Sequence, residues 1–118
     1  MAHKDRVART AYEKKRYEDP ARKTLTKQRN AEIRRRNKTF IYGYKATHPC
    51  IVCGETDPIV LEFDHRDPSN KRRNICEMIA TLTTIETLQA EIAKCDVLCA
   101  NCHRRKTAKQ LGWRLPPF

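Results

Sequence analysis

Apolar residues change their spacing along the chain, and each spacing predicts a different element. Up to about residue 33 they are sparse. Leu25 and Ile33 stand among Arg22, Lys23, Lys27, Arg29, Arg34, Arg35 and Arg36. Such segments are helix-permissive but lack a core face, over 4–18 and again from Pro20 towards Lys45. Asp19 suits an N-cap, with Pro20 at the first helical position. Ile33, Phe40, Ile41 and Tyr44 then make a face able to dock on a core. Ile59, Leu61 and Phe63 alternate with Val60, Glu62 and Asp64, which is strand periodicity. Asp67-Pro68-Ser69-Asn70 is turn chemistry. Met78, Ile79, Leu82, Ile85, Leu88 and Ile92 recur at helical spacing and predict one amphipathic, core-packing helix over about 76–93. Val97 and Leu98 make a short strand into Cys99. A last helix follows from near Asn101 to about Lys109, and Leu111 to Phe118 reads as a tail.

Charge divides the chain differently. The 118 residues carry 25 Lys and Arg against 14 Asp and Glu, a net of +11. Residues 1–45 hold 15 basic and 5 acidic residues, a net of +10, whereas 46–118 hold 10 and 9. The positive charge is therefore one segment, a basic helical arm over 1–47, and it predicts a polyanionic partner. The remainder divides into a domain over 48–110 and a tail over 111–118. No apolar run approaches the roughly 20 residues needed to cross a bilayer, and the first residues lack the apolar stretch of a secretion signal. The expectation is a cytoplasmic protein without a membrane partner, whose cysteines are reduced or metal-bound rather than paired as disulfides.

Four of the six cysteines form two C-x-x-C pairs, Cys50/Cys53 and Cys99/Cys102, with 45 residues between them. Two such knuckles suit one tetrahedral structural zinc, because each places both sulfurs on a single ion. Gly54 supplies the turn after the first. The site would clip the start of the domain to its last helix, and the long loop adds little closure cost. Two disulfides are the alternative. Cys76 and Cys95 have no partner motif and read as buried thiols.

A second set of polar groups lies outside the cysteines. Asp64-His65 ends the strand, and His103 directly follows Cys102. A histidine beside a cysteine ligand reaches the same zinc with difficulty. On a helix starting at the knuckle it points instead towards the strand end, so the zinc clip would bring Asp64 and His103 together. A carboxylate and an imidazole with open positions suit Mg²⁺ or Mn²⁺ shared with phosphate and water. His65 stands beside them as a base with a pKa near working pH. That set serves phosphodiester hydrolysis. Arg104, Arg105 and Lys106, near the start of the last helix, are candidates for neighbouring phosphates, as are Arg34, Arg35 and Arg36 in the arm. Taken singly, each of these residues would read as a cap, a salt bridge or a surface side chain.

The stretches CIVC, LEFDHRDPSNK and KCDVLCANCHRRKT, within residues 48–107, together resemble the HNH endonuclease family, the ββα-metal nucleases, especially the small bacterial and phage members. The resemblance implies an α+β fold, a small ββα-metal domain stapled by a four-cysteine zinc and preceded here by the basic helical arm. It implies His65 as general base, Asp64 and His103 as ligands of the catalytic ion, and Cys50, Cys53, Cys99 and Cys102 as structural zinc ligands. The implied products are a 5′-phosphate and a 3′-hydroxyl. The family's middle asparagine has no counterpart: its place, about five residues before the third cysteine, holds Lys94, and neither Asn74 nor Asn101 fills the slot. The expected activity is metal-dependent cleavage of DNA, most simply double-stranded, by a monomer or a transient dimer on DNA in a bacterial or phage-infected cell. A non-catalytic zinc module that binds nucleic acid, and an RNA-cleaving enzyme of the same mechanism, remain as alternatives.

Overall fold

The computed structural model describes residues 2–117, with side chains from Val7 onward. Two long helices come first, α1 (Ala2–Glu18) and α2 (Pro20–Thr47). The Asp19 carboxylate accepts the Ala21 amide at 3.1 Å, so the expected cap and Pro20 together start α2. Val7, Tyr12, Tyr17 and Leu25 are exposed, as their charged surroundings require.

Two compact units divide the chain, one ending at Arg35 and one beginning at Arg36. The C-terminal part of α2 therefore belongs with the folded domain, which a boundary at 47/48 separates from it. The reason is the docking face: Ile41 is 2 % exposed, with Phe40 and Tyr44 packed beside it.

In the second unit a short 3-10 turn, Pro58–Val60, leads into β1 (Leu61–His65). The strand is shorter than its alternation suggests. Asp57 accepts the Ile59 amide and caps the turn, leaving Ile59 exposed rather than on an apolar strand face. After β1, Asp67 caps a second 3-10 turn, Pro68–Asn70. Then come α3 (Ile75–Ala80), α4 (Ile85–Ile92), β2 (Cys95–Cys99) and α5 (Ala100–Leu111). The strands pair antiparallel, Leu61 opposite Cys99, Asp64 opposite Asp96 and His65 opposite Cys95. The chain is thus α+β, with a two-stranded sheet followed by a helix.

The single helix expected over 76–93 is two. Leu82, at φ 59°, turns the chain, and the Thr84 hydroxyl accepts the Thr87 amide to start α4 afresh. The break frees the Thr83 carbonyl. The fully buried Asn37 on α2 donates to it at 2.8 Å, and Arg36 donates to it and to Asn37. A continuous helix would use that carbonyl internally and leave the buried Asn37 amide N–H without its acceptor, a cost of about 1–3 kcal/mol. Helical periodicity survives the break because both halves bury the same stripe, Met78 from α3 and Leu88 and Ile92 from α4, against Ile41.

A second apolar cluster joins Cys50, Leu61, Val97, Leu98, Cys99 and Cys102, and Phe63 and Tyr44 touch both clusters. Cys95 is buried as expected, whereas Cys76, expected to be buried, is exposed. α5 runs past the expected end at Lys109 to Leu111, where Gly112 at φ 64° closes it. Among the described residues no helix is long and apolar enough to cross a membrane.

Candidate metal centre and adjoining cleft

The first knuckle is a backbone device. The Gly54 amide donates to the Cys50 carbonyl at 2.9 Å, and the Cys50 amide to Glu55 at 2.9 Å. Gly54 takes φ 79°, a conformation glycine adopts without strain. The second knuckle spans the junction of β2 and α5: Cys99 occupies the N-cap position, and its sulfur accepts the Cys102 amide at 3.4 Å. Strand pairing puts Cys99 opposite Leu61, and the Ile51 amide bonds the Val97 carbonyl at 3.1 Å, so the knuckles meet.

One sulfur from each of Cys50, Cys53, Cys99 and Cys102 lies within 4.8 Å of all the others, and Cys53 and Cys99 Sγ are 3.6 Å apart. Tetrahedral zinc with sulfurs at about 2.3 Å sets them about 3.8 Å apart. All six cysteines are free, and the 3.6 Å between Cys53 and Cys99 Sγ exceeds the roughly 2 Å of a disulfide bond. Burial raises the Cys50 thiol, but amides of Cys53, Cys99 and Val52 donate to it and bring it down to about 6. Its neighbour Cys102 is pushed up to about 12, first by its contact with Cys99 and then by burial. Four thiols this close cannot all ionise unaided. A divalent cation removes the conflict, so the donor set fits one zinc ion.

On the sheet, the side chains of β1 divide by period two. Glu62 and Asp64 face α5. Asp64 Oδ1 lies 3.3 Å from His103 Nε2, and Glu62 Oε2 lies 2.7 Å from His103 Nδ1. The sequence reading expects the first meeting and does not single out Glu62. A neutral imidazole donates one proton and satisfies one carboxylate only. With Nδ1–H given to Glu62, the Nε2 side facing Asp64 calls for a positive charge, a proton or a metal ion. Lys106 contacts the other Asp64 oxygen. It is therefore engaged at the site rather than free for distant phosphates.

Arg104, Arg105 and Lys106 sit in the second turn of α5, beyond its first amides. The Arg104 guanidinium lies 5.4 Å from the Trp113 ring centre. Arg36 is spent on Asn37 and Thr83, whereas Arg34 and Arg35 are exposed.

His65, on the opposite face of β1, donates from Nε2 to Glu91 Oε1 at 2.8 Å, and both side chains are buried. Glu91 also accepts the Arg72 amide and the Lys94 ammonium, each at 2.9 Å. Burial raises the Glu91 pKa, but the bonds from Lys94, Arg72 and His65 outweigh it and hold the group at about 2, against an ordinary 4.5. A depressed carboxylate pKa stabilises the fold above pH 4.5 and loses that contribution as pH falls towards 2. The difference of about 2.5 units corresponds to about 3 kcal/mol. Glu91→Gln is accordingly expected to be less stable than wild type at pH 7, with the gap closing below pH 4.5 in denaturant titrations. A gap independent of pH would refute this assignment.

Glu62, Asp64, His65 and His103 all line one open cleft of about 490 Å³. Lys45 and Lys71 line it too, although neither stood out in the sequence. The Lys45 ammonium lies 5.2 Å from the Tyr42 ring centre, and burial lowers its pKa. Comparison with protein-family models, curated proteins and solved structures finds no match to this chain.

Proposed function

We propose that the protein is a metal-dependent endonuclease of the HNH type that hydrolyses phosphodiester bonds in double-stranded DNA. The observation that carries this reading is the convergence of Asp64 and His103, 3.3 Å apart, in one cleft with His65. The four-cysteine cluster, as a structural zinc site, holds β2 and α5 to the first knuckle and so fixes His103 against the strand. Asp64 and His103, with Asp64 Oδ1 3.3 Å from His103 Nε2, would hold a Mg²⁺ or Mn²⁺ ion between them. The ion, when bound, supplies positive charge to the phosphate and its leaving oxygen. His65 takes the proton of the attacking water. Glu62 fixes the His103 ring by accepting its Nδ1–H. Lys45 and Lys71 meet the phosphates that flank the scissile one. Lys94, which stands in the place of the family's middle asparagine, bonds Asn70 O and Glu91, tying the loop after β1 to the entry of β2.

The basic arm adds affinity without sequence preference, acting on DNA as part of a monomer or transient dimer in a bacterial or phage-infected cytoplasm. A zinc module that only binds nucleic acid accounts for the charge and the cysteines but gives no role to the Asp64, His65 and His103 set.

Nicking or linearisation of supercoiled plasmid with Mg²⁺ or Mn²⁺, abolished by EDTA, tests the reading. DNA bound but uncut in both metals, and RNA uncut as well, would leave the binding module. Deleting residues 1–35 removes 12 of the 25 Lys and Arg. Each phosphate contact contributes about 0.9 to the salt slope of binding to duplex DNA. The truncated chain is expected to lose several units of that slope in fluorescence anisotropy, and an unchanged slope would exclude the arm from the interface.

A further inference from the structure

We infer that Glu91 is the positioning residue of His65, holding the imidazole with its proton on Nε2 and its Nδ1 lone pair towards the cleft. The inference rests on the nuclease reading for its kinetic consequence, but its geometric content stands apart from it. Glu91 lies 26 residues from His65, on α4, and is 2 % exposed. An ionised carboxylate only accepts, so Nε2 must carry the proton in the 2.8 Å bond. Among the described residues, no buried side-chain nitrogen or oxygen lacks a partner. Nδ1, which makes no hydrogen bond among the described residues, is therefore reached by solvent from the cleft that His65 lines. That is the nitrogen left to accept a proton from water.

Glu91 is itself held from two further directions. Its Oε1 also takes the Arg72 amide from the loop after β1, and its Oε2 takes Lys94 Nζ at the entry to β2. The carboxylate cannot rotate away without giving up a backbone bond, so the ring it holds has one orientation. A buried negative charge 2.8 Å from Nε2 also stabilises the imidazolium formed when Nδ1 accepts the proton. An ordinary buried ion pair would need neither a second anchor from the loop nor a histidine whose other nitrogen opens on a cleft.

The test combines a spectroscopic readout with kinetics. In the zinc-loaded wild-type chain, long-range ¹⁵N–¹H correlation spectra at pH 8 are expected to show His65 as the single Nε2–H tautomer. A proton on Nδ1 would overturn the inference whether or not the protein cuts DNA. In plasmid cleavage, Glu91→Leu is expected to lower kcat by about 10- to 100-fold with KM for DNA little changed. Glu91→Gln, whose carbonyl oxygen can still accept from Nε2 but which carries no charge, recovers part of that loss. Glu86→Leu, the same change at an exposed acidic residue of α4, is expected to retain kcat. Wild-type kcat in a folded Glu91→Leu, or an equal loss of kcat in Glu86→Leu, would overturn the role. If Glu91→Leu fails to fold, the wild-type spectrum and Glu91→Gln still decide. Absence of cleavage by wild type would count against the nuclease reading alone, leaving the tautomer to stand or fall on the spectrum.

Discussion

Cys99→Ser is expected to lose zinc and to unfold the unit that begins at Arg36. Cys99 has three roles at once. It ends β2 opposite Leu61, it occupies the N-cap position of α5, and its sulfur belongs to the four-cysteine cluster. Three of the six residues in the second apolar cluster belong to the four-cysteine set, so a bound metal would substitute for core that this small unit does not otherwise have. Apparent zinc binding in small zinc modules is worth about 10–16 kcal/mol at neutral pH, and whole domains are stable by only about 5–15 kcal/mol. The wild-type chain should hold one zinc per molecule by elemental analysis and melt cooperatively. Cys99→Ser should hold less than one and lose the cooperative transition, as should wild type treated with a strong chelator. Cys76→Ser, altering an exposed thiol outside the cluster, should change neither quantity. A Cys99→Ser chain that kept both its zinc and its melting transition would show that the cluster is not the staple.

His65→Ala is expected to remove cleavage while leaving fold and DNA binding nearly intact. General-base catalysis contributes about 10²- to 10⁴-fold, which is enough to take a plasmid assay below detection. The structural cost is modest because Glu91 keeps its bonds to Lys94 and the Arg72 amide when the imidazole is gone. Losing one hydrogen bond to a charged group costs about 1.5–3 kcal/mol. The experiment compares wild type with His65→Ala at equal zinc content, in Mg²⁺ and Mn²⁺, with anisotropy measured on the same DNA. Undiminished cutting by the variant would move the base elsewhere, to another group in the cleft. The contrast with the arm deletion is useful, since that variant is expected to weaken binding and keep the cleft.

Much of this was legible in the chain itself. Two C-x-x-C spacings announce a four-sulfur cluster, because a knuckle is a local turn and its ligands need no distant information. Asp19 and Pro20 start a helix for local reasons as well, and Asp67-Pro68 makes the turn its composition predicts. The meeting of Asp64 with His103 was also within reach, since joining the two knuckles sets β2 and α5 in register with β1. Periodicity failed where local chemistry competed with it. Leu82 and Thr84 break a helix whose apolar stripe continues unbroken, and Asp57 converts the first residues of an alternating strand into a capped turn.

Only the tertiary structure decided which polar groups answer the histidines. Glu62 and His103 are 41 residues apart, Lys106 and Asp64 are 42 apart, and Glu91 and His65 are 26 apart. In sequence Glu91 is one acidic residue on an amphipathic helix, indistinguishable from Glu86. Its burial follows from where α4 lands against β1, which the break at Leu82 sets. Arg36 and Asn37 show the same limit: they read as arm and are committed to the Thr83 carbonyl. Hydrophobic spacing and ligand motifs are properties of neighbouring residues, so the sequence determined most of the elements, the basic arm and the four-cysteine set. Partnership between buried charges depends on packing that brings distant residues within 3 Å, and the fold alone assigned a carboxylate to each histidine of the cleft.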